Sequence, residues 1–258
     1  MLVRVSQRKM FFRHMVAFLL PIGLAALLSF FAIFSINRNL AEKNRRIYEH
    51  IAAEMGSVLS GILTESRMLL YAYSTDVTFF NDMRNILRKD HVSYEELRLI
   101  RSYQNSLEIA VKSRPYIHSL YCIPFYAGEA PLPIMTSADG IVSYDNFWDR
   151  TLVKTVLENH NDDAPSFRSR TENHPFLPAN GLLTYYVGAT SIDRRNHLGY
   201  AVLNLDVRLL QKKLEDLLSG KPEILYRVTS GTDILFSTIN PAEAPLTESH
   251  VRIRGETY

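Results

Sequence analysis

The chain has 258 residues, of which 47% are hydrophobic and 22% are charged, and its formal net charge is +2. These values are ordinary for folded proteins, so they exclude an intrinsically disordered chain. A net charge this close to zero provides no broad basic surface, which argues against nucleic-acid binding. The single cysteine, Cys122, excludes an internal disulfide, and in the apolar run at residues 120–125 we expect it to be a small core residue.

The first predicted element is a membrane-spanning helix at residues 15–36, which include no charged side chain. A helix of this length rises through roughly 30 Å, the thickness of the hydrocarbon core of a bilayer. Pro21 falls near the start of the helix, where a missing amide donor is tolerated best. A cleaved signal peptide would have a shorter apolar stretch, with small residues before the cut. The sequence therefore predicts an uncleaved anchor behind a short tail at residues 1–14.

The charges around the span leave its orientation nearly balanced. Four basic residues precede the span and four follow it closely, so the positive-inside rule almost ties. The tail has no acidic residue, whereas Glu42 and Glu49 dilute the positive charge on the far side. This difference favours a cytoplasmic N-terminus.

Apolar residues continue behind the span with helical spacing. They recur at intervals of mostly three, four or seven, and no proline interrupts residues 22–73. The sequence predicts that the membrane helix continues as a stalk at residues 37–74. This stripe packs either against the protein's own domain or, as a homodimer, against a second stalk that transmits movement. It comprises Leu40, Ile47, Ile51, Met55, Val58, Ile62, Leu69 and Tyr73.

Beyond the stalk, helical and strand patterns alternate. Ser93 and Glu96 have the spacing of a capping box, and Asp139-Gly140 marks a turn. Together the patterns predict an α+β fold, in which helices lie against an antiparallel sheet. In chain order we expect a helix from Ser93, a strand at residues 116–126, a helix at 148–158, paired strands at 182–192 and 198–207, a helix at 208–218, and a hairpin at 224–228 and 233–237.

These elements group into a first module at residues 75–206 and a second part at residues 207–258. The second part begins with a connecting helix and ends in a hairpin that has little partner sheet. We therefore expect a second module that is incomplete in this chain.

No motif for catalysis or metal binding occurs in the sequence. The eight histidines lack metal-ligand spacing such as H-E-x-x-H, and no G-x-S-x-G, phosphate loop or C-x-x-C pair is present. His118 and Cys122 would lie roughly 13 Å apart on an extended strand, too far apart for a catalytic pair. We therefore expect neither an enzyme nor a bound cofactor or metal.

A likeness to a known family rests on three segments, together with the entry segment that contains Pro21. The segments are RPYIHSLYCIPFY at residues 114–126, TSADGIVSYDNFWD at 136–149 and LGYAVLNLDVRLL at 198–210. In order and spacing they resemble the extracytoplasmic double Cache (dCache) sensor region of Gram-positive membrane regulators. Those regulators are YesM-type sensor histidine kinases and membrane-bound AraC-type transcription regulators.

The resemblance implies a PAS-like sheet on the stalk, in a sensor module that lies outside the cell. It also implies a smaller module near the membrane, a second span and a cytoplasmic output domain beyond this chain. That output is either the histidine kinase of a two-component system or an AraC-type DNA-binding domain. The expected partners are a small polar ligand, membrane lipid and a second copy of the chain, with no nucleic acid bound by this segment.

In such folds the ligand lies on the sheet beneath a loop and a short helix, here residues 144–149. Aromatic rings with a few carboxylates and amides suit a small polar ligand. The alternative is that Phe147 and Trp148 fill the core while Asp145 or Asn146 caps the helix. The candidate ligand-binding residues are Tyr121, Tyr144, Phe147, Trp148, Asp149, Tyr185, Asn204 and Asp206.

The class of ligand depends on the strand that contains Asn204. Val202, Asn204 and Asp206 share one face of it by two-residue alternation. Amino-acid-binding relatives have an aspartate five residues after the strand's glycine, a place that Asn204 takes here when counted from Gly199. An amide lacks the charge to pair with an amine, and no arginine-plus-tryptophan pattern for a carboxylate is evident. The sequence therefore favours a sugar or another neutral ligand at least as much as an amino acid.

Three alternatives complete the interpretation. Asp206 either lines the site or caps the following helix. The module either binds a small ligand or senses a protein partner or envelope stress without one. A membrane-tethered hydrolase is the third, and it requires a nucleophile and a base close together.

Overall fold

The computed structural model of the chain describes residues 2–125, 132–158, 167–170, 181–190, 197–218, 226–230 and 233–238. The chain divides into two compact units, Met1–Glu54 and Met55–Tyr258. The predicted α+β class is confirmed. The elements are α1 (Leu2–Ser74), α2 (Val77–Leu87), α3 (Tyr94–Lys112), β1 (Ile117–Pro124), β2 (Ile134–Thr136), β3 (Gly140–Val142), α4 (Arg150–Glu158), β4 (Arg168–Arg170), β5 (Leu182–Thr190), β6 (His197–Asp206), α5 (Val207–Leu217), β7 (Arg227–Ser230) and β8 (Asp233–Ser237).

The first unit consists of α1 residues, and all of its described side chains from residue 12 to residue 50 are exposed. They include the apolar run predicted as the span, with Pro21 inside the helix. By length and composition this is the one helix in the described part of the chain that is apolar enough to cross a membrane. Such an apolar surface is stable in lipid rather than in water.

In the second unit, one side of α1 is buried. At two positions the buried residue is the one that follows the predicted residue in the sequence. Met55 and Ile62 are buried as predicted, whereas Leu59 and Leu70 are buried in place of Val58 and Leu69. A period of 3.6 residues puts neighbouring positions near the same face, so apolar spacing alone does not decide between them.

The sequence interpretation missed α2 and located α3 correctly. Asp76 caps α2 by accepting a hydrogen bond from the Phe79 amide, and the apolar side of α2 is buried. Ser93 and Glu96 form the predicted capping box at the start of α3.

The capping box makes part of the stability depend on pH. Hydrogen bonds from Lys89, and then from Ser93, lower the pKa of the Glu96 carboxyl to about 2, compared with 4.5 ordinarily. A lowered pKa stabilises the fold above the unfolded-state pKa, and this contribution is lost as the pH falls from about 4.5 toward 2. We expect Glu96→Gln to reduce the acid dependence of the melting temperature in that window, with Glu95→Gln as the control. An equal pH profile for wild type and Glu96→Gln would contradict this assignment.

A six-stranded antiparallel sheet forms the centre of the second unit, in the order β3-β2-β1-β6-β5-β4. The predicted hairpin is β5–β6, and the Asp139-Gly140 turn joins β2 to β3, with Gly140 at φ 71°. The sequence interpretation did not include β2, β3 or β4 as strands. The last predicted hairpin, β7–β8, forms a separate two-stranded sheet.

The two faces of the sheet have different coverings. Helices α2 and α3 contact β1 on the face that includes Leu203. Phe147 and α4 cover the opposite face, which includes Val202. Helix α4 begins at Arg150 instead of residue 148, after a 3-10 turn at Tyr144–Asn146. We call residues 144–158 the cover, because they lie over the face to which the candidate site residues mostly belong.

Candidate functional site

A buried ion pair lies between the cover and the sheet. Asp149, the last residue before α4, accepts hydrogen bonds from both terminal nitrogens of Arg170 on β4: Nη1 to Oδ2 at 2.8 Å and Nη2 to Oδ1 at 2.6 Å. Only 3% of Asp149 and 9% of Arg170 is exposed. A bidentate pair between arginine and carboxylate is among the strongest and most directional polar contacts in proteins.

Tyr121 on β1 extends this pair toward the centre of the sheet. Its Oη donates to Asp149 Oδ2 at 2.6 Å. Burial first, and then the Asp149 carboxylate, raises the pKa of Tyr121 well above its ordinary value, while Arg170 opposes the rise. Tyr121 is therefore a neutral hydrogen-bond donor at physiological pH.

Three side chains on neighbouring strands continue the network. Asn204 on β6 lies next to Tyr121, whose pKa it lowers, and it donates to Ser119 Oγ at 3.0 Å and accepts from Thr184 Oγ1 at 2.6 Å. These positions share a face because Ser119 and Thr184 both pair with Asn204 in the sheet register. We call Arg170, Asp149, Tyr121, Asn204, Thr184 and Ser119 the polar network.

Aromatic rings enclose the network on the side of the cover. The Phe147 ring meets Tyr121 edge to face at 4.9 Å between centroids, and Trp148 meets it at 6.4 Å. Phe147 is fully buried, whereas Trp148 and Tyr144 are partly buried against the same cluster. The charged atoms therefore lie in an apolar surrounding, where their hydrogen bonds are stronger than in water.

The structure brings together most of the predicted site residues. Tyr121 hydrogen-bonds to Asp149 and packs against Phe147. Asn204 lies beside Tyr121 on the adjacent strand, and Trp148 and Tyr144 pack against the same cluster. Phe147 fills the core, as the alternative interpretation expected. Asp145 and Asn146 lie in the 3-10 turn and not at the start of α4, so the cap predicted for them is not formed.

Two predicted site residues lie elsewhere. Tyr185 pairs with Leu203, so it belongs to the opposite face of the sheet. There it stacks on Phe167 at 4.6 Å, with the Arg67 guanidinium of α1 over its ring. Asp206 accepts hydrogen bonds from the amides of Arg208 and Leu209, so it caps α5 as the second interpretation proposed.

Sequence reasoning missed three members of the polar network, Ser119, Thr184 and Arg170, of which Arg170 is the charged one. It belongs to a three-residue strand, Arg168–Arg170, whose RSR sequence has no apolar alternation to indicate a strand. Its β pairing with Leu182 places it beside the network, at the end of the sheet where α4 begins. The one available signal was an arginine two positions from another, which by itself is typical of an exposed segment.

The described part of the chain has neither a cluster of metal-ligating side chains nor a reactive thiol. No group of three or more metal-ligating side chains is found there. Cys122 is buried, and burial raises the pKa of its thiol. A thiol that stays protonated in an apolar core is unreactive.

Comparison with known proteins gives a distant structural likeness. No family model and no curated protein matches the chain. The ligand-binding domain of the Campylobacter jejuni chemoreceptor Tlp3 in complex with L-valine is 12% identical, with a TM-score of 0.46, and the match covers 73% of this chain and 68% of that one. The sensory domain of the same receptor with isoleucine bound is 11% identical, with a TM-score of 0.47, over 77% and 72% of the two chains.

Proposed function

We propose that the chain is the membrane-anchored sensing region of a signal-transduction protein and that it binds a small polar ligand between the sheet and the cover. The observation that carries this proposal is the ion pair of Asp149 with Arg170, buried among aromatic rings beneath a short helix. Buried ionisable groups with specific charge partners are concentrated at functional sites.

Stability alone gives no reason for this ion pair. Desolvation of two charges offsets most of their attraction, and apolar residues of similar volume are often as stable or more so. The pair joins the cover to β4, a short strand at the edge of the sheet. A ligand that separates the charges and satisfies both would change how the cover and β4 are connected.

The two charges together favour a zwitterionic ligand. A ligand carboxylate fits the planar fork of Arg170, and a ligand ammonium group fits the Asp149 carboxylate. Asp149 thereby supplies the negative charge that Asn204 lacks, and Arg170 supplies the carboxylate partner that the sequence did not indicate. A neutral sugar would have to break the ion pair without replacing either charge, so we favour a small amino acid or a related zwitterion over a sugar.

The remaining parts of the proposal concern the membrane. The exposed apolar part of α1 is the anchor, the module from residue 75 to residue 206 lies outside the cell, and α1 pairs with α1 of a second copy. A YesM-type kinase or an AraC-type DNA-binding domain is the output, in a part of the protein beyond this chain. Ligand binding can shift the output only by the difference between the ligand's binding free energies for two arrangements of the helix pair.

A second candidate function rests on a specific observation. Phe147 fills the space above Tyr121, and the charged groups of the network satisfy one another. A module that senses a protein partner or envelope stress needs no vacant pocket, and such internal packing suits it. The two functions differ in whether any small molecule binds under the cover.

Calorimetry on the full chain in lipid nanodiscs distinguishes the ligand-binding function from the second candidate function. We expect at least one L-amino acid from a complete panel to bind, and its amidated form, which lacks the carboxylate, to bind at least tenfold more weakly. Arg170→Gln is expected to weaken binding by a similar factor, while the exposed Arg150→Gln leaves it unchanged. If no amino acid binds wild type, or if the amide binds equally well, the zwitterion proposal is wrong.

A further inference from the structure

Tyr200 has a buried hydroxyl group that no described residue satisfies. It lies on β6 four positions before Asn204 and on the same face, and 5% of it is exposed. No hydrogen-bonding atom of the described residues is within reach of its Oη. An unsatisfied buried hydroxyl is destabilising, and phenylalanine would fill the same space without that cost. The ring of Tyr200 therefore packs in the core, whereas its hydroxyl makes no stabilising hydrogen bond to a described residue.

The ring of Tyr200 belongs to the same cluster as the polar network's aromatic enclosure. The cluster also includes Tyr121 of the sheet and Phe147 and Val153 of the cover. On its other side it contacts His197, with ring centroids 4.3 Å apart, and Tyr186 at 6.4 Å. Burial raises the pKa of Tyr200 to about 12, so its hydroxyl is neutral and both donates and accepts hydrogen bonds.

Gly188 keeps the neighbouring position on β5 small. It pairs with Tyr200 across the sheet, and a Cβ there would lie 2.7 Å from Cε1 of His197. A side chain at residue 188 would displace the His197 ring, which packs against the Tyr200 ring. Glycine at this position allows the rings of His197 and Tyr186 to lie next to Tyr200.

The strand position of Tyr200 is close to that of Tyr121, the network residue that donates to Asp149. Val202 pairs with Tyr121, and Tyr200 is two residues away from it, which is about 7 Å along a strand. A ligand whose charged head contacts Arg170 and Asp149 therefore extends over Tyr121 toward Tyr200. Reaching it requires displacement of side chains such as Phe147 or Val153, which now occupy this part of the face.

We infer that the Tyr200 hydroxyl is a specificity subsite, which hydrogen-bonds to a polar group at the far end of the ligand. The ligand class is then a zwitterion with an amide, hydroxyl or carboxylate group on its side chain, and not an aliphatic amino acid. This inference rests on the proposed function, because it takes the charged head to be held by the polar network.

The experiment compares L-glutamine with L-norleucine, which has a side chain of similar length and no polar end. Both are titrated by calorimetry against the full chain in nanodiscs, as wild type and as Tyr200→Phe. For wild type we expect glutamine to bind about threefold to tenfold more tightly than norleucine. For Tyr200→Phe we expect that ratio to fall to about one, mainly through weaker glutamine binding.

A control variant and a melting temperature separate loss of ligand specificity from loss of stability. Tyr226→Phe, immediately before β7, is the matched control and should preserve the ratio. Without ligand, Tyr200→Phe should melt at the same temperature as wild type or higher, because its hydroxyl has no described partner; a clear decrease would show a structural bond and overturn the inference. Binding of both ligands with equal affinity by wild type, or an unchanged ratio in Tyr200→Phe, also overturns it and leaves the zwitterion proposal intact. Binding of neither ligand, with no other amino acid bound, overturns both.

Discussion

Replacing Asp149 with asparagine is expected to lower the free energy of unfolding by about 3–5 kcal/mol, because it removes the carboxylate from a buried pair and leaves the charge of Arg170 behind. Asparagine keeps the size of the side chain, so the effect reports the charge and not a cavity. Asparagine also has a single carbonyl oxygen for the three hydrogen bonds that Asp149 accepts from Arg170 and Tyr121. Chemical denaturation of the full chain in detergent, followed by tryptophan fluorescence, measures the change.

The control for this prediction lies four residues earlier. Asp145 is an exposed aspartate in the same cover, and Asp145→Asn should change the free energy by less than about 0.5 kcal/mol. The double replacement Asp149→Leu with Arg170→Met removes both charges and should recover most of the stability that Asp149→Asn loses. A loss below about 1 kcal/mol for Asp149→Asn would show that the pair is not desolvated, and the site described here would not exist in that form.

Gly199→Ala is expected to destabilise the sensor module by about 3 kcal/mol or more. A Cβ at this residue would lie 2.3 Å from the Ile123 carbonyl oxygen and 2.7 Å from Cε1 of Phe80. The first is a backbone atom of the neighbouring strand, so it cannot rotate away, and overpacking of this kind costs about 1–3 kcal/mol. The backbone at φ 155° adds strain for a residue with a Cβ. Thermal denaturation monitored by circular dichroism measures the loss.

Gly61→Ala is the matched control for Gly199→Ala. Gly61 lies within α1 in the same unit, and a Cβ there would meet no atom within 4 Å. Alanine is the better helix former by up to about 1 kcal/mol, so this variant should be as stable as wild type or slightly more stable. Equal stability of Gly199→Ala and wild type would mean that Phe80 and β1 do not approach β6 as closely as described.

The sequence predicted those elements whose evidence is local. The capping box at Ser93 and Glu96 and the pairing of β5 with β6 follow from short-range rules and are present in the structure. The short polar strand β4 has no such pattern, and α2 was missed although its apolar residues are spaced as in a helix. Half of the site was thus recognisable, because Tyr121, Asp149 and Asn204 lie on elements with clear patterns, and Arg170 does not.

For two neighbouring tyrosines on β5, the local sequence does not decide which side chain faces the cover. Tyr185 and Tyr186 are adjacent, and side chains on a strand alternate, so one of them faces the cover and the other faces α1. The register between β5 and β6 decides which tyrosine faces the cover. Tyr186 is opposite Val202, on the face of the cover, and Tyr185 is opposite Leu203. A shift of one residue would exchange them, and nothing within the strand itself distinguishes the two arrangements.

By itself the amino-acid sequence determined the uncharged apolar helix, the α+β class and the face of β6 that includes Asn204, because each follows from a period of 3.6 or 2 within one continuous segment. Only the tertiary structure decided that Asp149 meets Arg170, that Asp206 caps a helix, and that the hydroxyl of Tyr200 is buried without a described partner. Contacts between side chains far apart in sequence depend on strand order and register, and those are settled by packing the whole domain at once.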